Sequence, residues 1–254
     1  MTESRSTAAT QQLEHSIRAV LERIAEAAAR AGRNPDAITL VAVTKTVPAE
    51  IVAAAWALGL RHFGENRVEE AEAKIPAANA LIGPGQEGPT WHMVGHIQSR
   101  KARDVVRMFD VVHSVDSVKL VAELDRRAAA AGRAIPCLLE INTSGEASKY
   151  GVAGDRGPSD AGQAAAVLAV AEALAGAAHL RAEGLMTLGP LASPESHVRR
   201  CFQTLRRWQA FLAERVPQAR WAHLSMGMSD DFEIAVEEGA TMVRIGRALF
   251  QGHR

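Results

Sequence analysis

The chain has 254 residues, 47% of them hydrophobic, and its 29 lysines and arginines are balanced by 29 aspartates and glutamates. That balance offers no long-range field for nucleic acid or an anionic membrane, and the length suits one domain burying about 70–75% of its unfolded surface. No apolar run approaches the length of a membrane span, and the polar start Met1–Thr10 lacks the apolar core of a signal peptide. Cys137 and Cys201 lie in apolar segments without metal-ligand spacing, which predicts buried thiols in a reducing cytoplasm.

Residues 1–10 are expected to be a loose N-terminus, and 11–254 a single domain. Leu13, Ile17, Val20, Leu21, Ile24 and Ala28 recur at helical spacing, and Gly32 closes that long helix. The run 38–45 is apolar or β-branched up to Thr44, as in a strand buried on both faces, and Pro48 then opens an alanine-rich helix over 49–58. A strand at 60–63 and a helix at 67–74 lead to 76–90, whose prolines and glycines read as loop. Strand 91–95 precedes a basic helix at 97–108. Strand 110–115 precedes a helix presenting Val118, Val121 and Leu124. Strand 135–141 ends at Asn142, followed by a polar loop to 159 and an alanine-rich helix over 160–177. Strand 180–186 is followed by a helix with Val198, Cys201, Phe202, Leu205, Trp208 and Leu212 on one face, then strand 221–225, helix 230–238 and strand 241–245.

Eight strand–helix alternations at intervals of roughly 30 residues are the repeat of a parallel α/β sheet. Eight units in about 250 residues match a closed (β/α)₈ barrel, with a doubly wound open sheet as the alternative. Too little chain follows the eighth strand for a full outer helix, so the extra N-terminal helix is expected to cover that gap.

In a barrel, chemistry gathers where strands end. Those ends are Lys45, Asn66, His96, Ser114, Asn142, Thr187, Ser225 and Gly246. Lys45 ends a buried strand, where desolvation favours the neutral amine that attacks aldehydes; the plainer reading is a lysine extended to solvent. Leu224–Asp231 reads as strand, tight turn and helix start, with backbone N–H groups beside a hydroxyl, and Arg244-Ile245-Gly246-Arg247 does the same after strand eight. Together they predict an anion site from loops seven and eight, the usual phosphate position of this fold. Arg244 inside an apolar strand needs an acceptor, either a nearby carboxylate or the ring nitrogen of a bound cofactor. Other patterns fail. Gly83–Gly88 matches G-x-G-x-x-G but precedes a strand, the histidines lack metal spacing, and Asp230-Asp231 is expected to serve a helix dipole.

With a strand-end lysine, a phosphate loop pair and an intrastrand arginine in hand, the sequence resembles the pyridoxal phosphate homeostasis proteins, relatives of the barrel domain of alanine racemase. The resemblance runs through 43–46, 63–66, 91–98, 113–116, 141–143, 183–186, 223–231 and 242–246. It implies a barrel of the alanine racemase N-terminal domain type, with pyridoxal 5'-phosphate (PLP) held as an internal aldimine on Lys45. It further implies phosphate contacts from Ser225, the Met226 amide, Gly246 and the Arg247 amide, with Arg244 at the pyridine nitrogen and Asn66 near the ring. His96 and Arg100 depart from many members, which have proline and asparagine there. The implied function is a non-enzymatic carrier or regulator of intracellular vitamin B6, with recipient apo-enzymes as partners and either a monomer or a homodimer as the assembly. A PLP-dependent amino-acid racemase is the alternative, and a cofactor-free sugar-phosphate enzyme using Lys45 is the third reading. Against the racemase stands the only tyrosine, Tyr150, which is expected on the solvent side of a polar loop.

Overall fold

A computed structural model describes residues 2–83 and 87–253, so the Gly83–Gly88 stretch lies partly outside the described residues. Its strands are β1 (Thr39–Val43), β2 (His62–Glu65), β3 (Thr90–Met93), β4 (Val111–Val115), β5 (Ile135–Asn142), β6 (Leu180–Met186), β7 (His223–Ser225) and β8 (Met242–Ile245). Each pairs in parallel with the next, and β8 returns to β1 with Thr39 opposite Met242 and Val41 opposite Arg244. The ring is therefore closed, and the open-sheet alternative falls.

The helices are α1 (Thr2–Arg30), α2 (Ala49–Ala57), α3 (Val68–Ile82), α4 (Ala102–Met108), α5 (Val118–Ala131), α6 (Ala161–Gly176), α7 (Glu195–Arg215), α8 (Phe232–Glu237) and α9 (Arg247–Phe250). α1 packs across α8 and the short α9, covering the gap left by a four-residue final helix. Leu13, Ile17, Val20, Ile24, Ala27 and Ala28 are buried there, each larger side chain contributing about 1.5–3 kcal/mol. Leu21 falls one position off that stripe and stays exposed. The helical trace starts at Thr2, inside the segment expected to be loose.

Several boundaries differ from the sequence reading. α3 runs through Pro76 to Ile82, because Ile75 and Ala78 bury a stripe that outweighs the lost N–H; the loop expected from 76 begins only at Gly83. A 3₁₀ turn at Ser99–Lys101 shortens the basic helix to α4. Val118 is exposed, and Leu120 takes its place beside Val121 and Leu124. The polar loop after β5 carries a two-residue strand, Val152–Ala153, paired with the end of β5.

Alternation along the strands separates two cores. Leu40, Ala42, Phe63, Leu139, Val243 and Ile245 face the helices. Val41, Val43, Val94, Leu138, Met186 and Met242 form small separate clusters inside the barrel. Between those clusters the interior is polar, with buried His92, His113, Ser225 and Arg244. Both cysteines are buried and burial pushes both thiols up.

Candidate functional site

A cavity of about 500 Å³ opens at the carboxyl ends of the strands, a size suited to a cofactor. Lys45, Asn66, Arg244, Gly246 and Arg247 line it, together with Val94, His96, Glu140, Leu188, Met228, Ser229 and Asp230.

β1 ends at Val43, two residues earlier than expected, so Lys45 occupies the turn beyond the strand and is exposed. Its own packing therefore does not supply the apolar surroundings expected around the amine. The turn is held from beneath. Lys74 Nζ donates to Thr44 O at 2.6 Å and to Glu65 Oε1 at 2.8 Å, and Thr44 Oγ1 donates to the same carboxylate oxygen at 2.6 Å. Thr46 adopts φ 62°, a left-handed conformation that costs a non-glycine residue about 1–3 kcal/mol, and its N–H donates to Glu70 Oε2 at 3.3 Å.

Glycines set two close approaches. A Cβ on Gly95 would stand 2.1 Å from Asn66 O, and one on Gly246 would stand 2.9 Å from Val43 O. The first holds the loop after β3 against Asn66. The second brings the start of α9 against the end of β1. Loops seven and eight are joined where Ser229 Oγ accepts from the Ala248 N–H at 3.2 Å and Arg247 pairs with Asp230.

Two expected phosphate ligands are elsewhere. Ser225 is fully buried inside the barrel, where its hydroxyl meets His113 and Arg244, and the Met226 N–H donates to Met242 O at 3.1 Å within the sheet. Neither is among the residues lining the cavity: β7 ends at Ser225, and the turn presents Met228–Asp230 to it one step later. Asp231 is not simply a helix-dipole residue. Its carboxylate accepts from the Met228 N–H at 2.6 Å and shapes that turn, while burial raises its pKa.

Arg244 has no carboxylate within ion-pair distance among the described residues. It donates to Ser225 Oγ at 2.5 Å and to Thr187 O at 2.8 Å. Burial lowers its pKa to about 10, opposed by the more distant Asp231 and Glu140, so it stays charged near neutrality. Glu140 was missed by the sequence reading. It is only 3% exposed, and its Oε2 has no hydrogen-bond partner among the described residues. Burial, reinforced by Asp116 and opposed by Arg244, raises its pKa to about 7. A folded pKa above the ordinary carboxyl value means stability is lost as pH rises through about 7. Glu140→Gln is therefore expected to leave melting unchanged near pH 4 and to stabilise the protein by roughly 1–3 kcal/mol above pH 8. Thermal melts of both proteins at those two pH values check this. A glutamate inside an apolar strand, Leu138-Leu139-Glu140-Ile141, was the available signal.

His96 also lines the cavity. Its ring stacks on Tyr150 at 3.8 Å between centroids, and its Nδ1 lies 3.2 Å from Asp116 Oδ2 without hydrogen-bond geometry. Tyr150 is exposed, as expected.

The cavity's position and its lysine define a barrel of the alanine racemase class, and residues 15–253 match the family model described as alanine racemase, N-terminal domain. Within that class the chain is 38% identical to the pyridoxal phosphate homeostasis protein of Escherichia coli, over 93% of this chain and 94% of that one. It is 40% identical to the Pseudomonas aeruginosa protein of the same name, over 92% and 93% of the two chains. The solved structure of PipY from Synechococcus elongatus with PLP bound superposes with a TM-score of 0.74 at 37% identity, over 89% of this chain and 99% of that one. The chain belongs to the pyridoxal phosphate homeostasis protein family.

Proposed function

We propose that the chain binds PLP in this cavity and serves vitamin B6 homeostasis, holding the reactive aldehyde and supplying it to cytoplasmic apo-enzymes. The observation that carries this reading is a single cavity lined by both an exposed lysine and a buried arginine without a carboxylate partner. That pair fits an aldehyde at one end of a ring and an acceptor nitrogen at the other. PipY, with PLP bound, supports the same reading through its similarity. The alternatives begun from the sequence, a racemase and a cofactor-free sugar-phosphate enzyme, have no specific observation of comparable weight. Among the described residues no helix is long and apolar enough to cross a membrane.

When bound, the cofactor supplies an aldehyde that a primary amine captures reversibly. Lys45 is the residue to hold it covalently. Arg244 would offer a positive N–H donor to the ring nitrogen, which would favour its unprotonated form. Asn66, held in place by the contact with Gly95, would flank the ring. Gly246, Arg247 and Ser229 form the phosphate end, with the Ser229 hydroxyl as a donor and the first turn of α9 beside it.

Removing one hydroxyl from a charge-assisted phosphate site costs about 1.5–3 kcal/mol. Ser229→Ala is accordingly expected to weaken PLP about 10- to 150-fold by equilibrium titration, while pyridoxal, which has no phosphate, changes little. Equal losses for both ligands would put the phosphate elsewhere and remove the support for this orientation.

A further inference from the structure

Four side chains bond in series from Arg244 through the barrel interior. Arg244 Nη1 donates to Ser225 Oγ at 2.5 Å, Ser225 Oγ lies 2.9 Å from His113 Nδ1, His113 Nε2 lies 2.8 Å from His92 Nδ1, and His92 Nε2 lies 3.0 Å from His62 Nδ1. His92 and His113 are buried, and both are held neutral. Burial, added to by His62, lowers His92 to about 3, and burial with the neighbouring His92 and Arg244 holds His113 well below the usual imidazole value. His223, on β7, is the remaining titratable group acting on His113 beside those of the series.

The direction of the series follows from what each group can do. A guanidinium only donates, so Ser225 Oγ must accept from Arg244. Ser225 then has one proton to give, and among the described residues His113 Nδ1 is its only other partner. A neutral imidazole that accepts at Nδ1 carries its proton on Nε2 and passes the same requirement to the next ring. The order is set from Arg244 outward: Arg244 to Ser225, Ser225 to His113, His113 to His92, and His92 to His62. His62 opens β2 at the amino end of the barrel, is half-buried, and borders a separate hollow of about 470 Å³. The chain thus runs from the cavity floor to the opposite end of the barrel.

We infer that His113, His92 and His62 are positioning residues for Arg244, binding its Ser225 acceptor into one tautomer-locked donor series that crosses the barrel. An arginine buried without a counter-ion needs strong, oriented acceptors. Bonds in series polarise one another, and each ring strengthens the lone pair that the one before it meets. The series also explains why Ser225 is unavailable to a ligand. Its hydroxyl is committed at both ends, and its work is to fix where the guanidinium points. This inference deepens the cofactor reading at Arg244, while the tautomer pattern itself rests on no bound group.

The test begins with the ligand-free full chain, labelled with ¹⁵N-histidine. His113 and His92 are expected as neutral rings with the proton on Nε2, and Ser225→Ala is expected to release His113 from that fixed state, while Ser225→Thr retains it. A proton on Nδ1 of either ring, or rapid tautomer averaging in the wild type, would overturn the inference. The second readout is PLP binding to His113→Gln and His113→Phe. Loss of the oriented acceptor is expected to weaken PLP roughly tenfold in His113→Phe and to shift its visible band, with His113→Gln intermediate. Wild-type affinity and band position in both variants would overturn the positioning role. A wild type that binds no PLP at all would contradict the cofactor reading and leave the tautomer result standing, so the two failures are distinct.

Discussion

Replacing Lys74 by methionine is expected to lower stability by about 3–5 kcal/mol, the cost of leaving a buried charge without its partner. The Glu65 side chain is fully buried and its Oε2 has no partner among the described residues, so Oε1 carries all of its compensation. That oxygen receives Lys74 at 2.8 Å and Thr44 at 2.6 Å. Burial raises the Glu65 pKa, and the bonds from Lys74 and Thr44 pull it back. Removing the lysine strengthens the first effect and weakens the second. The variant should therefore lose more stability at pH 8 than at pH 5, because the carboxylate can escape its burden only by binding a proton. Urea unfolding at the two pH values measures both effects. The double variant Lys74→Met with Glu65→Gln should recover most of the loss, since a neutral amide is cheaper to bury. The same pair supports the turn after β1 through Thr44 O. Lys74→Met should thus also loosen Lys45, and a slower rate of PLP capture would accompany the lost stability.

The second large effect is an absence of efficient racemisation. With PLP bound, the chain is expected to turn over alanine or serine enantiomers far below the usual enzymatic range of about 1–10³ per second. Arg244 remains charged near neutrality, and a guanidinium facing the ring nitrogen would leave that nitrogen unprotonated and the ring a weak electron sink. Racemisation also needs a base on each face of the substrate α-carbon. Lys45 can serve one face. His96 lines the cavity and is one candidate for the other, yet it stacks against exposed Tyr150, and its contact with Asp116 lacks hydrogen-bond geometry. A ring so placed is poorly held for proton transfer. The measurement is α-proton exchange in deuterated water alongside enantiomer turnover, with His96→Gln as the control. Slow exchange abolished by Lys45→Ala agrees with this account; turnover within the enzymatic range contradicts it.

The barrel was legible because its signals are repetitive: each βα unit restates the same alternation of buried strand and amphipathic helix. That Lys45, Asn66, Gly246 and Arg247 line one cavity was legible for a related reason, since strand ends in a barrel share one face. Ser225 and Met226 misled because the strand boundary decides which residue of a turn faces the cavity. A shift of a few residues brings Ser229 to the cavity in their place. Pro76 misled in the other direction, since burial of Ile75 and Ala78 sustains α3 beyond a residue that ordinarily breaks helices. The histidine series was harder to read. Its members lie on three strands and are separated by 30 and 21 positions, so the sequence never places them together. The available clue was one histidine in each of β2, β3 and β4, at a position whose parity points inward. Glu140 shares that parity, with an apolar residue on either side.

The central claim is that Lys45 holds PLP, and the most direct test is to reduce the purified wild-type protein with borohydride and map the product. The visible band of the protein incubated with PLP should disappear on reduction, and digestion should place a pyridoxyl group on Lys45 alone. Lys45→Ala should retain no reduced adduct. A protein that takes up no PLP would contradict the account, as would a stable pyridoxyl group on any other lysine.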